Sequence, residues 1–464
     1  MCPKGTSECR LLSVSERQQM VRQALGEFMR HVHGWMRQVL SVSAAVGALA
    51  TSISAVEAGG FAVREQSAHF QGSSFAGNAA GGALSSMFWN PAAVGQFNGI
   101  NTESAYSWII PDSEITAQPG STLLGLGASS GNVGNEALVP STYLSYQLSP
   151  SLVFGFSLNA PFGLSTEPEN RVWAGQTQAR TSKIETYNAQ PVLAYRVNPT
   201  LVIAAGLQIE YIEGTLKSAS GAAPTSANAV IKGDDIALGF TAGILWQPAL
   251  GTSVGLGFRS SIDHTLEGNF HVVGPLSGLT EAGISAGIKT PETVTLSLRQ
   301  ALTPQLTGLA TVEWANWSRL DQLRVVCQDT ALAGSCSGPA PGVTLPLGWH
   351  DGWFFALGAE YAYSPQLTLR AGGAYEISPI QNADERPARL PDSDRIWASI
   401  GASYKWSERI TLDFGYTHIF ADDAQIERTD GGVLLVASTE GSVDILTVGL
   451  KMKLGGDPTP APLK

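Results

Sequence analysis

The chain has 464 residues, of which 14% are charged, against roughly 25% in an ordinary soluble protein. It carries 51 glycines and a formal charge of −11, so it lacks the basic excess that nucleic-acid binding needs and is too hydrophobic for disorder. A single long uncharged run excludes a polytopic helical membrane protein.

That run covers residues 38–56. Arg30, His31, His33 and Arg37 precede it, and Ala55-Val56-Glu57-Ala58 closes it. A basic region, an apolar region and a small-residue end read as a secretory signal peptide with its cut after Ala58. Residues 1–35 are polar and have no place in such a signal, which points to a start at Met29 or Met36. The exported part keeps 22 basic and 35 acidic residues, a formal charge of −13. It also keeps Cys327 and Cys336. An even pair in an exported chain favours a disulfide closing one loop. A metal site would need further Cys or His at ligand spacing, and none stands there.

After Phe97 the dominant signal is period two. In Val294-Thr295-Leu296-Ser297-Leu298-Arg299 the apolar residues hold the even positions. Ile396, Ala398, Ile400, Ala402 and Tyr404 repeat the pattern, as do Leu152, Phe154, Phe156 and Leu158, and Val254, Leu256 and Phe258. Such alternation predicts strands with one apolar and one polar face. Tight turns recur at Ser149-Pro150, Asn198-Pro199, Gln247-Pro248, Thr303-Pro304, Ser364-Pro365 and Ser407-Glu408. Six tight turns separate seven hairpins, and hence fourteen strands. Longer connections are expected near 112–137, 161–180, 214–232, 267–286, 317–352, 378–392 and 421–441.

Alternating short and long loops, an even strand count and aromatic residues near strand ends match an outer-membrane barrel. Tyr146, Tyr195, Tyr211, Trp246, Trp314, Tyr361, Tyr363 and Trp406 are the expected girdle. In lipid a closed barrel leaves no backbone group unpaired. The fold expected is therefore all-β, a 14-stranded antiparallel transmembrane barrel over residues 97–454. Residues 1–58 are removed, and residues 455–464 form a short tail. Residues 59–96 show no alternation and are rich in Gly, Ala and Ser, including Gly72-Ser-Ser-Phe-Ala-Gly-Asn-Ala-Ala-Gly-Gly82. They fit a plug, because a lumen of this size is wider than its own side chains can fill.

By parity Arg259, Arg299, Arg370, Arg395, Lys405, Glu210, Glu313, Glu376 and Asp413 face the lumen. Arg259 and Arg299 are candidate anchors for a ligand carboxylate, which a guanidinium binds bidentately. Trp173, Phe162, Leu164 and Leu123 to Leu126 are candidate apolar capture residues in the loops. Gly-x-Ser-x-Gly occurs around Ser253 and Ser285, but a nucleophile elbow needs a strand before and a helix after the serine. Trp349-His350-Asp351 has no accompanying nucleophile motif. No enzyme, metal or cofactor is expected.

Gly60-Phe61, Ala76-Gly77-Asn78-Ala79-Ala80, Phe88-Trp89-Asn90-Pro91-Ala92 and Asn159-Ala160-Pro161-Phe162-Gly163-Leu164 occur in this order. In these motifs the chain resembles the FadL/TodX family of outer-membrane transporters for long-chain fatty acids and other hydrophobic compounds. The resemblance implies a 14-stranded barrel with an N-terminal hatch in the outer membrane of a Gram-negative bacterium. It also implies passive transport: capture at outer loops, binding inside the barrel and sideways release near the third strand. Phe61, Asn90, Pro91 and Ala92 would belong to the hatch and its gating. Asn159, Ala160, Pro161 and Phe162 would mark the lateral opening. The implied partners are a long-chain fatty acid or other hydrophobic small molecule, outer-membrane lipid and lipopolysaccharide, with the barrel a monomer. A surface adhesin whose long loops bind host molecules, or an outer-membrane hydrolase, is the alternative on the same architecture.

Overall fold

The computed structural model describes residues 59–273, 281–327 and 342–454. The signal-peptide region, the C-terminal tail and Cys336 lie outside the described residues.

Fourteen strands form the wall. They are β1 (Ile100–Ala117), β2 (Ala137–Gln147), β3 (Leu152–Asn159), β4 (Thr181–Asn198), β5 (Leu201–Ala219), β6 (Asn228–Ala249) and β7 (Thr252–Arg259). The second half comprises β8 (Thr293–Ala301), β9 (Leu306–Ala315), β10 (Gly352–Ala362), β11 (Leu367–Ile377), β12 (Arg395–Lys405), β13 (Ile410–Ala421) and β14 (Val433–Lys453). Each pairs antiparallel with the next. β14 returns to β1 from Asn101↔Lys453 to Ala117↔Ala437, which closes the cylinder and removes the free edges.

Parity decides the two faces. On β8, Leu296 and Leu298 are exposed while Thr295 and Ser297 are buried. On β12, Ile396 and Ile400 face out while Ser399 and Ser403 face in. An outward apolar band with a polar interior is the arrangement a bilayer requires. Tyr146, Tyr195, Trp246, Tyr361, Tyr363 and Trp406 are exposed at the end that carries the short turns. Tyr211 instead stacks on Tyr187 with ring centres 6.3 Å apart. Trp314 is turned to donate from Nε1 to Asp351.

Five of the six short turns are capped by their first residue. Leu152 N donates to Ser149 Oγ, Thr200 N to Asn198 Oδ1, Leu306 N to Thr303 Oγ1, Leu367 N to Ser364 Oγ and Ile410 N to Ser407 Oγ. A Ser, Thr or Asn side chain can satisfy the turn amides in this way. The sixth departs from expectation. Pro248 lies within β6, beside a register shift between Trp246 and Ala249. The turn falls at Leu250-Gly251, where Gly251 takes φ +80°, a value open to glycine at little steric cost.

The long connections contain further strands. The segment expected near 214–232 is largely ladder, because β5 and β6 pair out to Ala219↔Asn228. Asp263–Val273 extends that ribbon by pairing with the outer part of β6, and it pairs in turn with Glu281–Lys289. Gln322–Cys327 joins Glu281–Lys289 over Ile284↔Cys327 to Gly287↔Arg324.

Residues 59–97 lie almost wholly buried and fill the lumen against inward glycines. A Cβ added to Gly255 would sit 1.8 Å from the Ala79 carbonyl oxygen, and one added to Gly257 would sit 1.8 Å from that of Trp89. At Gly243 it would sit 2.0 Å from Asn90 Oδ1. Backbone meets backbone here, which accounts for part of the glycine content of the wall.

Candidate functional site

Asn90-Pro91-Ala92 begins a 3₁₀ turn, Pro91–Gln96, with Asn90 as its N-cap and Pro91 in the first position. Asn90 Oδ1 accepts from Ala92 N at 3.0 Å. Its Nδ2 donates to Ala79 O at 2.8 Å and to Ile244 O at 2.9 Å. One side chain thus closes the cap, ties two parts of the N-terminal segment and fixes both to β6. The motif ties the N-terminal segment together and fixes it to the wall.

The wall is irregular at β3. Its ladder with β2 ends at Thr142↔Leu158, while β2 runs on beside β1 to Ala137↔Ile109. On the other side β3 stays with β4 to Asn159↔Asn188, and pairing resumes at Gly163↔Glu185. Ala160, Pro161 and Phe162 fill the interruption, where Pro161 has no N–H to offer a ladder. The N-terminal segment pairs with them instead. Val63 N donates to Pro161 O and Gly163 N donates to Phe61 O, both at 2.8 Å.

Gln66 bonds to β2 and to Ala160, just beyond the end of β3, where the ladder between β2 and β3 stops. Its carbonyl accepts from Ser141 Oγ at 3.0 Å and from Tyr143 Oη at 2.7 Å, both on β2. Its Nε2 donates to Ala160 O at 2.8 Å. Asn159 Nδ2 donates to Tyr143 Oη at 2.8 Å and to Gln66 Oε1 at 3.3 Å. Sequence reasoning missed Gln66, since a glutamine in the irregular run Arg64-Glu65-Gln66-Ser67 carries no motif signal.

Two cavities lie on either side of the aromatic cluster that contains Phe61. The outer one lies among the loops and is bordered by Phe61, Leu164, Ile288, Leu320, Trp349 and Arg389. The inner one is bordered by Val63, Arg64, Phe162, Arg259, Glu313 and Glu376, among others. Between them is an aromatic cluster. The Phe61 ring lies 4.8 Å from Trp317, 5.8 Å from Phe162 and 6.1 Å from Trp349. Edge-to-face contacts of this kind hold rings in place without covalent restraint.

The inner cavity is charged as well as apolar. Arg259 is buried, with Nη1 donating to Phe88 O at 3.0 Å and to Gln190 Oε1 at 2.6 Å. Its guanidinium lies 4.4 Å from the centre of the Phe88 ring. No carboxylate ion-pairs with it among the described residues. Arg64 bridges Glu313 at 2.7 Å and Glu376 at 3.3 Å.

Other expected residues are placed differently. Arg299 pairs with Glu360 and borders neither cavity. Glu360 also holds Arg370 at 2.8 Å, and Asp413 holds Lys451 at 2.9 Å, so Arg299 belongs to a charged network toward the short-turn end. Lys405 is exposed at the rim, one step beyond the buried part of β12. Trp173 is fully buried in a loop core with Ile115, Ile426 and Leu435 rather than displayed for capture. Leu123 to Leu126 is partly exposed. Cys327 is buried at the end of its strand, and Cys336 lies outside the described residues.

The hydrolase motifs do not assemble. Ser253 Oγ donates to Ala80 O within β7, and Ser285 sits in the middle of the strand Glu281–Lys289. Each serine is followed by more strand rather than by a helix among the described residues. His350 contacts Glu385 while Asp351 accepts from Trp314, so the two neighbours serve different partners.

The fold and its contents have counterparts. A long-chain fatty acid transport protein of Escherichia coli O6:H1 is 25% identical over 424 residues, covering 82% of this chain and 91% of the relative. Outer membrane protein P1 of Haemophilus influenzae is 26% identical over 344 residues, covering 66% and 71%. The crystal structure of a Pseudomonas aeruginosa FadL homologue superposes with a TM-score of 0.76 at 22% identity, over 85% of this chain and 100% of that one. The toluene transporter TodX of Pseudomonas putida superposes with a TM-score of 0.63 at 14% identity, over 86% and 100%. The model of the outer membrane protein transport protein family (OMPP1/FadL/TodX) matches residues 48–454. With its closed 14-stranded barrel, the chain belongs to that family of outer-membrane transport proteins.

Proposed function

We propose that this protein carries long-chain fatty acids or similar hydrophobic compounds passively into the outer membrane. Ligand enters the outer cavity among the loops, passes the Phe61 cluster to the inner cavity, and leaves sideways through the window beside β3. The observation that carries this reading is the position of Phe61. It borders the outer cavity, packs on Trp317 and Phe162, which border the inner one, and its main-chain carbonyl accepts from Gly163 just beyond the end of β3. The names of the relatives, a fatty acid transport protein and a toluene transporter, support hydrophobic cargo.

Arg259 is the proposed anchor for a carboxylate. A buried guanidinium without an ion-pair partner gains charge-assisted hydrogen bonds when an anion arrives. Residues 59–96 act as the hatch, and the barrel works as a monomer against outer-membrane lipid and lipopolysaccharide. Transport of this kind needs no catalysis.

Uptake of radiolabelled oleate by cells lacking their own transporter tests the reading. Expression of the chain should restore uptake, and Phe61→Ala should alter it. Arg259→Gln should raise the oleate Kd by about tenfold or more, the weight of one charge-assisted bond, and leave a neutral alkene unaffected. No uptake above the empty-vector level would overturn the proposal.

A further inference from the structure

We infer that Arg64 is a latch that an anionic headgroup releases, so that passage favours amphiphiles bearing a carboxylate over neutral hydrocarbons. This rests on the transport reading above and adds the residue that senses the cargo.

Residues 59–66 cross the lumen and are held on two sides. Toward β3 the bonds are neutral main-chain contacts with Pro161 and Gly163. Toward the opposite wall the hold is ionic. Arg64 Nη1 meets Glu313 on β9 at 2.7 Å, and Nη2 meets Glu376 on β11 at 3.3 Å. The guanidinium also lies 3.8 Å from the centre of the Phe354 ring.

The two carboxylates are fixed from behind. Thr295 Oγ1 donates to Glu313 Oε2 at 2.7 Å, and Trp397 Nε1 donates to Glu376 Oε2 at 3.2 Å. Both donors stand on wall strands. Arg64 stands on a thin segment, and its buried Nε has no hydrogen-bond partner among the described residues. The movable member of the ion pair is therefore the arginine, and it retains an unused donor.

Charge balance supplies the trigger. Arg64, Arg259, Glu313 and Glu376 all border the inner cavity, and their formal charges cancel when it is empty. A bound carboxylate adds one negative charge in a poorly screened space. Arg259 takes part of it. The free Nε of Arg64 offers a second donor edge, and bidentate binding there competes with the longer bond to Glu376. A neutral hydrocarbon exerts no such pull. Any shift of Arg64 is transmitted along the chain to Phe61, in the aromatic cluster, and to Gln66, beside Ala160.

Hydrogen exchange of the full-length protein in lipid nanodiscs tests the latch, with oleate and 1-octadecene as probes. In the wild type, oleate should speed exchange of the Val63 amide by about tenfold, and 1-octadecene should leave it unchanged. Arg64→Gln should exchange fast without ligand, still bind oleate, and show no further response. Arg64→Lys should keep an oleate response. Equal acceleration by both probes, or a preserved oleate response in Arg64→Gln, overturns the latch. Oleate binding with no change at residues 59–66 sinks the latch alone. Absence of oleate binding to the wild type removes the fatty-acid reading with it.

Discussion

Gln66 Nε2 donates to the main-chain carbonyl of Ala160 at 2.8 Å, at the point where β3 gives up its ladder with β2. The bond replaces part of a missing sheet contact with a contact to the N-terminal segment. At this place the wall is tied to the N-terminal segment by a side chain rather than by a neighbouring strand.

Gln66→Ala keeps the main-chain carbonyl contacts but removes the donor and leaves the Ala160 carbonyl without it. Losing a buried hydrogen bond of this kind costs about 1–3 kcal/mol. Residues 59–66 should exchange roughly tenfold or more faster, and the barrel strands should be unchanged. Mass spectrometry of exchanged peptides checks this, and unaltered exchange would refute the tether.

Asn90→Ala should destabilise the fold more than any change at the window. It deletes the cap on Ala92 N and both donors, to Ala79 O and Ile244 O. Cap loss costs about 1 kcal/mol, and each stranded carbonyl adds about 1–3 kcal/mol. Guanidinium unfolding followed by tryptophan fluorescence should show a loss of about 3–7 kcal/mol.

Gly257→Val places a branched side chain where a Cβ would already lie 1.8 Å from the Trp89 carbonyl. The wall strand is held by ladders on both sides, so the N-terminal segment must yield. Cells expressing this variant should become more sensitive to bulky antibiotics that the intact barrel excludes. Gly125→Ala, where an added Cβ meets nothing within 4 Å, should behave as wild type.

Glu65 gives the fold a pH dependence. Burial pushes its carboxyl up to about 7, against 4.5 for an ordinary glutamate, and its Oε2 has no hydrogen-bond partner among the described residues. Between those two pH values the unfolded chain has released a proton that the folded chain keeps. Stability therefore falls as pH rises through this window and levels off above it, a change of about 3 kcal/mol. Unfolding from pH 4 to pH 8 should show the decline, and Glu65→Gln should flatten it.

Much of this protein is written along the chain. A β residue alternates its side chains across the sheet, so the parity of Leu296, Ser297 and Leu298 already assigns lipid and lumen faces. The turns declare themselves because Ser149, Thr303, Ser364 and Ser407 cap their own loops within a few residues. The barrel as a class therefore follows from local chemistry. The exceptions mark where local rules lose to neighbours. Pro248 is absorbed by a register shift in β6, and Trp173, polar loop on either side, is drawn into a core that only folding creates.

The site is a different matter. Arg259 and Arg299 have the same parity and the same chemistry in sequence. Only the tertiary structure pairs Arg299 with Glu360 and leaves Arg259 beside the inner cavity without an ion-pair partner among the described residues. The contacts of Arg64 and Gln66 reach partners more than 70 residues away. Periodicity reports which face a residue occupies, but it holds no information about what stands across the lumen. That is fixed by closure of the cylinder and by the fit of residues 59–97 against its glycines.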